Sequence, residues 1–193
     1  MSGIGKEGVD PSGNATNWHQ CRFAPLVRAL PGDYPAAPVT TIVNSHVEVY
    51  LFRRRNARVE FLLLRRASSR RTLPGVWQPV TGKRRLRERM VAAAVREVFE
   101  ETGLKPLRWW ALETMTIYPD AARDRIVALP LFAAEISPAA RVTLSREHDA
   151  SKWVKAGEAA KRVLWESQRR GFEAVKREVL SEARLADALE LSI

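Results

Sequence analysis

GKRRLRERMVAAAVREVFEETGL, from Gly82 to Leu104, joins a basic loop to a run of helix formers and a cluster of acids that closes on a glycine. Read as a helix, it spaces Glu97, Glu100 and Glu101 at i, i+3 and i+4, which sets their carboxylates on one face. The other side carries Val91, Ala94, Val95 and Val98, an apolar stripe suited to docking on a sheet. Thr102-Gly103 predicts the helix end, with Gly103 free to take the left-handed conformation there. The acidic face therefore lies at the C-terminal end, where the helix dipole already disfavours negative charge. Carboxylates crowded in this way repel one another unless a cation sits among them. Oxygen ligands suit a hard divalent ion, Mg2+ first and Mn2+ as the alternative.

The stretches on either side of this unit read mostly as strands. Val47 to Arg54 and Val59 to Arg66 are β-branched, apolar runs joined by Arg55-Asn56-Ala57, which predicts a hairpin. Trp77 to Thr81 predicts one short strand entering the helix unit, and Leu107 to Tyr118 and Ile126 to Ile136 two more around Pro119-Asp120. Lys152 to Val154 reads as a last strand. Helical periodicity then takes over, over Gly157 to Leu164 and, as one long amphipathic helix, over Trp165 to Leu189. Strands first, a helix between them and helices late give an α/β fold with a mixed sheet flanked by helices.

Gly82, Glu88, Arg96, Glu97, Val98, Glu100, Glu101, Gly103 and Leu104 fill every fixed position of the pattern G-x5-E-x7-R-E-U-x-E-E-x-G-U, where U is a bulky aliphatic residue. In this the chain resembles the Nudix hydrolases. The resemblance implies a Nudix-type α/β/α sandwich and covers roughly Val47 to Val175. One departure stands out: the loop after Gly82 is KRRLR, where the family usually has acidic residues and a glycine before the glutamate. Trp77-Gln78-Pro79-Val80-Thr81-Gly82 leads into the motif. Glu147-His148, Trp153, Glu158-Ala159-Ala160 and Trp165 follow much later, with Ser167-Gln168-Arg169 behind them. This order resembles the dihydroneopterin triphosphate pyrophosphatase branch, which also hydrolyses nucleoside triphosphates.

The resemblance implies a substrate with a nucleoside diphosphate linked to a further group, and chemistry that needs charge neutralisation and an activated water. Glu97 and Glu101 are assigned to the metal, with Glu100 beside them. The Gly82 carbonyl is a further candidate, because glycine lets backbone approach an ion closely. The family adds a carboxylate from a distant loop, a position that Glu147 matches. Arg96 orients Glu97 or pairs with Glu88, which reads as a structural partner. The base that deprotonates water is one of Glu97, Glu100 and Glu147. For the phosphates, Arg65 and Arg66 end a strand, and strand alternation lets at most one of them face the site. Arg125 and Arg169 are second candidates. Trp77 either stacks on a heterocyclic base or belongs to the core, and Trp109 and Trp110 read as core. His19 and His46 read as structural.

The leading expectation is Mg2+-dependent hydrolysis of a nucleoside or pterin triphosphate to monophosphate and pyrophosphate. The alternatives are another diphosphate (a dinucleoside polyphosphate, a nucleotide sugar or an RNA 5′ end) or a non-catalytic Nudix-fold module that binds nucleic acid or regulates. Retention of all the motif glutamates argues against the last of these, and nucleic acid is not the favoured partner. The oligomeric state stays open, with a homodimer compatible.

Across 193 residues, 32 Lys and Arg outweigh 22 Asp and Glu for a net charge of +10, which favours an anionic partner such as a polyphosphate. The residues Lys83 to Arg89 contribute five of those cations. They read as too long-stemmed to be buried and are expected to attract a polyphosphate from a distance. A single cysteine, Cys21, excludes an intramolecular disulfide and favours a reducing, cytoplasmic setting. No apolar run reaches membrane-spanning length, so no membrane partner is expected. Residues 1–17 read as a disordered tail, 18–46, broken by Pro25, Pro31, Pro35 and Pro38, as an arm, and 47–193 as the Nudix hydrolase domain.

Overall fold

A computed structural model describes residues 41–56 and 58–193. The tail reading, Cys21, His19 and most of the arm lie outside the described residues. The sheet begins at β1 (Thr41–Val43), followed by β2 (His46–Arg55) and β3 (Arg58–Arg66), a hairpin that closes at the pair Arg55 and Arg58. β2 is the centre of the fold. Its side chains alternate between two cores: Val47, Val49 and Leu51 belong to one, and Tyr50 and Phe52 to the other. β3 divides in the same way, Leu62 and Leu64 against Phe61 and Leu63. Burial on both faces explains why these runs read as continuously apolar.

The stretch expected as one strand from Trp77 to Thr81 is two. β4 (Trp77–Gln78) pairs with β3, and β5 (Val80–Lys83) pairs with β2. Pro79 lies between them and has no N–H to give a ladder. β2 and β3 pair near their turn and splay toward the other end, where β4 and β5 fill the gap. After the helix α1 (Met90–Thr102) come β6 (Arg108–Asp120) and β7 (Arg125–Glu135), an antiparallel pair. β7 also runs parallel to β1 and β2, which makes the sheet mixed. The last strand, expected from Lys152, starts earlier as β8 (His148–Val154) and pairs with β3.

The helices cover both faces. α1 presents Ala93, Ala94 and Val98 to the first core, and Gly103 ends it at φ 66° with its N–H on the Phe99 carbonyl at 2.8 Å. The other face packs Ala159 of α2 (Ala156–Arg162) and Phe172 and Val175 of α3 (Glu166–Val175). The single helix expected from Trp165 to Leu189 is interrupted. α3 runs into a π turn over Lys176–Leu180, the chain breaks at Ser181, and α4 (Ala183–Leu189) follows. Two contacts account for the break. The Ser181 hydroxyl donates to the Lys176 carbonyl at 2.7 Å, taking up a helical acceptor. The Glu178 carboxylate, 1% exposed, receives the Glu113 N–H at 2.9 Å and the Thr114 hydroxyl at 2.5 Å where β6 departs from regular register. Among the described residues no helix is long and apolar enough to cross a membrane.

Candidate active site

The splay between β2 and β3 opens onto a cleft of about 420 Å³. Its walls come from α1 (Glu97, Glu101), from β5 (Thr81, Gly82, Lys83), from β3 and the segment after it (Arg66, Arg70), and from the turn before β8 (Glu147). Gln78 and His46 complete the lining. α1 reaches β5 this closely because residue 82 is glycine. A β-carbon there would lie 1.9 Å from Glu97 Cγ and 2.0 Å from Cδ.

Arg96 organises the acids around it. Its Nε and Nη2 grip Glu88 at 2.7 and 2.9 Å, while Nη1 donates to Glu97 at 2.6 Å and to Glu100 at 2.9 Å. Nη2 also ties to the Lys83 carbonyl at 2.9 Å, which fastens β5 to the helix. The Arg96 guanidinium pulls the Glu88 carboxyl down to about 2, helped by the Arg85 backbone N–H. Arg96 therefore does both things considered for it, pairing with Glu88 and holding Glu97.

Glu101 lies deepest, at 5% exposure. Its Oε2 is buried with no hydrogen-bond partner among the described residues, and His148 Nδ1 lies 4.0 Å away. Burial, then the charges of Glu97 and Glu147, push its carboxyl up to about 9. Both ring nitrogens of His148 are also buried and, among the described residues, unpartnered, and burial holds that imidazole down near 4. The Ala67 N–H holds the Glu147 backbone carbonyl at 2.9 Å, and its side chain meets Arg70 at 3.2 Å.

The candidate residues do not all converge. Gly82, Glu97, Glu101, Glu147 and Arg66 share the cleft. Glu100 is exposed and lies outside it, held by Arg85 and Arg96 at 2.9 Å each. Arg65 turns to Asp149 at 2.6 Å. Trp77 is half-buried between Arg65 and Arg162, each about 5.8–5.9 Å from its ring, and it packs against the second core rather than lining the cleft. Arg125 pairs with Asp120 at 2.9 Å. Arg169 donates to the carbonyls of Ala160, Val163 and Leu164 at 3.2–3.5 Å and so staples the end of α2 to α3. Its neighbour Gln168 reaches the buried Glu48 at 3.1 Å.

His46, Arg70, Gln78, Thr81 and Lys83 line the cleft without having stood out as site residues. The strand register that places His46 opposite Lys83 is their only signal. The basic loop also differs from its reading. Arg84 is partly buried and donates to Asn44 O, Asn44 Oδ1 and the Glu88 carbonyl at 2.5–3.1 Å. Arg85 is tied to Glu100. These two are held in fixed contacts, whereas Lys83, Arg87 and Arg89 make no ion pair among the described residues, and Lys83 lines the cleft.

Does the donor set suit a divalent cation? Glu97 and Glu147 are engaged by Arg96 and Arg70, and among the described residues no three acidic or imidazole side chains meet at one point. The Glu101 oxygen, without a hydrogen-bond partner among the described residues and under the charges of Glu97 and Glu147, is nevertheless the oxygen-rich environment that a hard cation relieves. The residues fit such an ion.

A model of the NUDIX domain matches residues 44–175. The chain is 34% identical over 132 residues to an octanoyltransferase of Myxococcus xanthus, covering 68% of this chain and 35% of that protein. It is 38% identical over 85 residues to an m7GpppN-mRNA hydrolase, NUDT17, of Danio rerio, covering 42% and 27%. The chain thus spans about a third or less of the curated relatives it matches. Among solved structures, a Nudix hydrolase of Listeria monocytogenes superposes with a TM-score of 0.61 at 24% identity, over 78% of this chain and all of that one. The dihydroneopterin triphosphate pyrophosphohydrolase of E. coli gives 0.55 at 23% identity, over 68% and 95%. At these identities the two structures share the fold.

Proposed function

The chain belongs to the Nudix family, and on that premise we propose that it is a divalent-metal-dependent pyrophosphohydrolase that splits a nucleoside or pterin triphosphate into monophosphate and pyrophosphate. The observation that carries this reading is the buried, unpartnered Glu101 oxygen facing Glu97 and Glu147 in a cleft whose other wall is basic. Glu97, Glu101 and Glu147, with the Gly82 carbonyl, would hold Mg2+ or Mn2+. When bound, the ion neutralises phosphate charge and makes a water more acidic.

The remaining work belongs to the chain. Arg96 keeps Glu97 aimed at β5 and, through the Lys83 carbonyl, fixes the distance between helix and strand. Glu97 or Glu147 takes the proton of the attacking water, since Glu100 stands outside the cleft behind two arginines. Arg66, whose Nε donates to the Thr72 carbonyl and which has no carboxylate partner among the described residues, offers its remaining N–H groups to phosphate oxygens. Water attacks one phosphorus of the α–β anhydride, the bond from that phosphorus to the bridging oxygen breaks, and the other half of the substrate leaves with the electron pair, giving monophosphate and pyrophosphate.

The phosphate-containing products released from a panel with Mg2+, separated by anion-exchange chromatography, test the assignment. The panel would hold nucleoside triphosphates, dihydroneopterin triphosphate, a dinucleoside polyphosphate, a nucleotide sugar and a 5′-triphosphate RNA. Turnover fastest on the free triphosphates is the expected result. Preference for any of the last three would move the substrate class, and no turnover on the whole panel would overturn the enzymatic reading.

A further inference from the structure

We propose that His46 is a substrate-binding residue whose imidazole Nε2–H donates a hydrogen bond to a phosphoryl oxygen, alongside the ammonium group of Lys83. The inference rests on the reading of the cleft as a polyphosphate site and deepens it by naming the group that holds the part of the chain remote from the carboxylates.

The placement comes from register. Val47 pairs with Gly82 and points into the α1 core, so its neighbour His46 projects from the opposite face of β2. Lys83 lies directly across the ladder from His46, and directly opposed side chains in an antiparallel pair stand side by side. Both line the cleft at the end of β5 away from Glu101. Ser45 Oγ lies 2.8 Å from His46 Nδ1. The tautomer in which the serine hydroxyl donates to Nδ1 carries the ring proton at Nε2, and it is the tautomer this proposal requires; no described residue is hydrogen-bonded to Nε2. The ring is thus oriented by one nitrogen and presents a donor with the other.

The charge around it calls for an anion. Lys83 makes no ion pair among the described residues, and Arg125, although paired with Asp120, contributes its charge nearby. Burial first, then Lys83 and Arg125, disfavour a proton on the second nitrogen, so the imidazole stays a neutral donor. Arg66 and Arg70 stand on the other wall. A single phosphate at the carboxylate end would leave the His46–Lys83 end of the cleft unfilled, whereas a chain of phosphates spans both.

Inorganic tripolyphosphate with Mg2+ is the probe, with orthophosphate assayed at the end of each titration so that only data from intact probe are read as binding. The chain has three histidines, so its imidazole resonances are few, and loss of one signal in His46→Asn assigns the group. In the full-length protein, titration with tripolyphosphate should shift the His46 signal. His46→Ala should bind the probe roughly tenfold more weakly, the loss expected for a hydrogen bond to a charged group. His46→Gln, whose Nε2 donor sits where the imidazole donor was, should recover most of that affinity. For a hydrolysed substrate, KM should rise by about the same factor in His46→Ala, with kcat within about twofold. A His46 signal that stays still while calorimetry shows the probe bound would overturn the proposal, as would unchanged affinity in His46→Ala or no binding by the parent. Probe binding with the His46 shift but no turnover on any substrate would leave this inference standing and remove the hydrolase reading instead.

Discussion

Glu147 and Glu48 are two acids that the fold treats in opposite ways. Glu147 sits on a turn at the cleft, where its side chain contributes little to packing. Glu147→Gln should lower turnover by roughly 10²–10⁴-fold, the range for an acid–base or charge-stabilising group, and leave the thermal midpoint nearly unchanged. Parent-like turnover would remove it from the site. Glu48 is 3% exposed and receives hydrogen bonds from the Tyr50 hydroxyl, from Gln168 Nε2 at 3.1 Å and from the Thr81 hydroxyl at 3.4 Å. Burial nevertheless raises its carboxyl above the ordinary value of 4.5, against the pull of those donors. A raised carboxyl means that the folded chain holds this proton more tightly than the unfolded chain. Its contribution to stability is therefore greatest below pH ~4.5 and declines as pH rises toward the folded value. Glu48→Gln cannot ionise, so urea unfolding across pH 5 to 8 should show a flatter decline than in the parent. An identical slope would mean that Glu48 ionises as readily folded as unfolded.

At the scale of elements, the loop between β5 and α1 decides how far the resemblance to the family pattern extends. Before the motif glutamate, at a position the pattern leaves open, this chain has Arg87, held at φ 61° in the left-handed region that favours glycine. A side chain there costs about 1 kcal/mol that glycine would not. Arg84 offsets the strain by fastening the loop to Asn44, whose side-chain amide in turn donates to the Ala128 carbonyl at 2.8 Å on β7. Arg87→Gly should therefore raise stability by about 1 kcal/mol. Arg84→Ser should lower it by roughly 1–3 kcal/mol, since the Asn44 and Glu88 acceptors lose their donor. Chemical denaturation of the two variants checks both signs, and a loss in Arg87→Gly would show that its side chain does more than occupy the turn. The exposed cations Arg87 and Arg89, which make no ion pair among the described residues, are then the ones able to steer a polyphosphate towards Lys83 at the cleft.

For the whole molecule, the balance lies between a sheet buried on both faces and a site that carries uncompensated charge. The two cores pack against β2 and β3 from opposite sides and hold α1 and α3 in place independently of the acids. A cation bound only by the folded state adds stability by mass action, about 2.7 kcal/mol at a hundredfold excess over its dissociation constant. Thermal unfolding with Mg2+ or Mn2+ should accordingly shift upward, and a chelator should reverse the shift and abolish turnover. Glu101→Gln should remove most of the shift while leaving the metal-free midpoint nearly unchanged at neutral pH, because a carboxyl pushed up to about 9 is already uncharged there without the cation. A metal-free midpoint equal to the metal-bound one, with activity intact in chelator, would leave the carboxylates without a cation to serve.

The sequence by itself determined α1, its end at Gly103, the acids on one of its faces, and the pairing of β2 with β3 and of β6 with β7. Those features follow from spacing within a few residues, where helical and strand periods and turn residues act. The tertiary structure decided which acids share a cleft, leaving Glu100 outside, and it turned Arg66 rather than Arg65 into the site. It split the strand at Pro79, where adjacent residues pair with different partners. It broke the last helix at Ser181, where Glu178 answers unpaired N–H groups on β6. It also joined Arg84 to Asn44 across 40 residues and Gln168 to Glu48 across 120. The partners in each case are brought together by the register of a mixed sheet, and register is fixed by burial on both faces of β2, which no local stretch of the chain encodes.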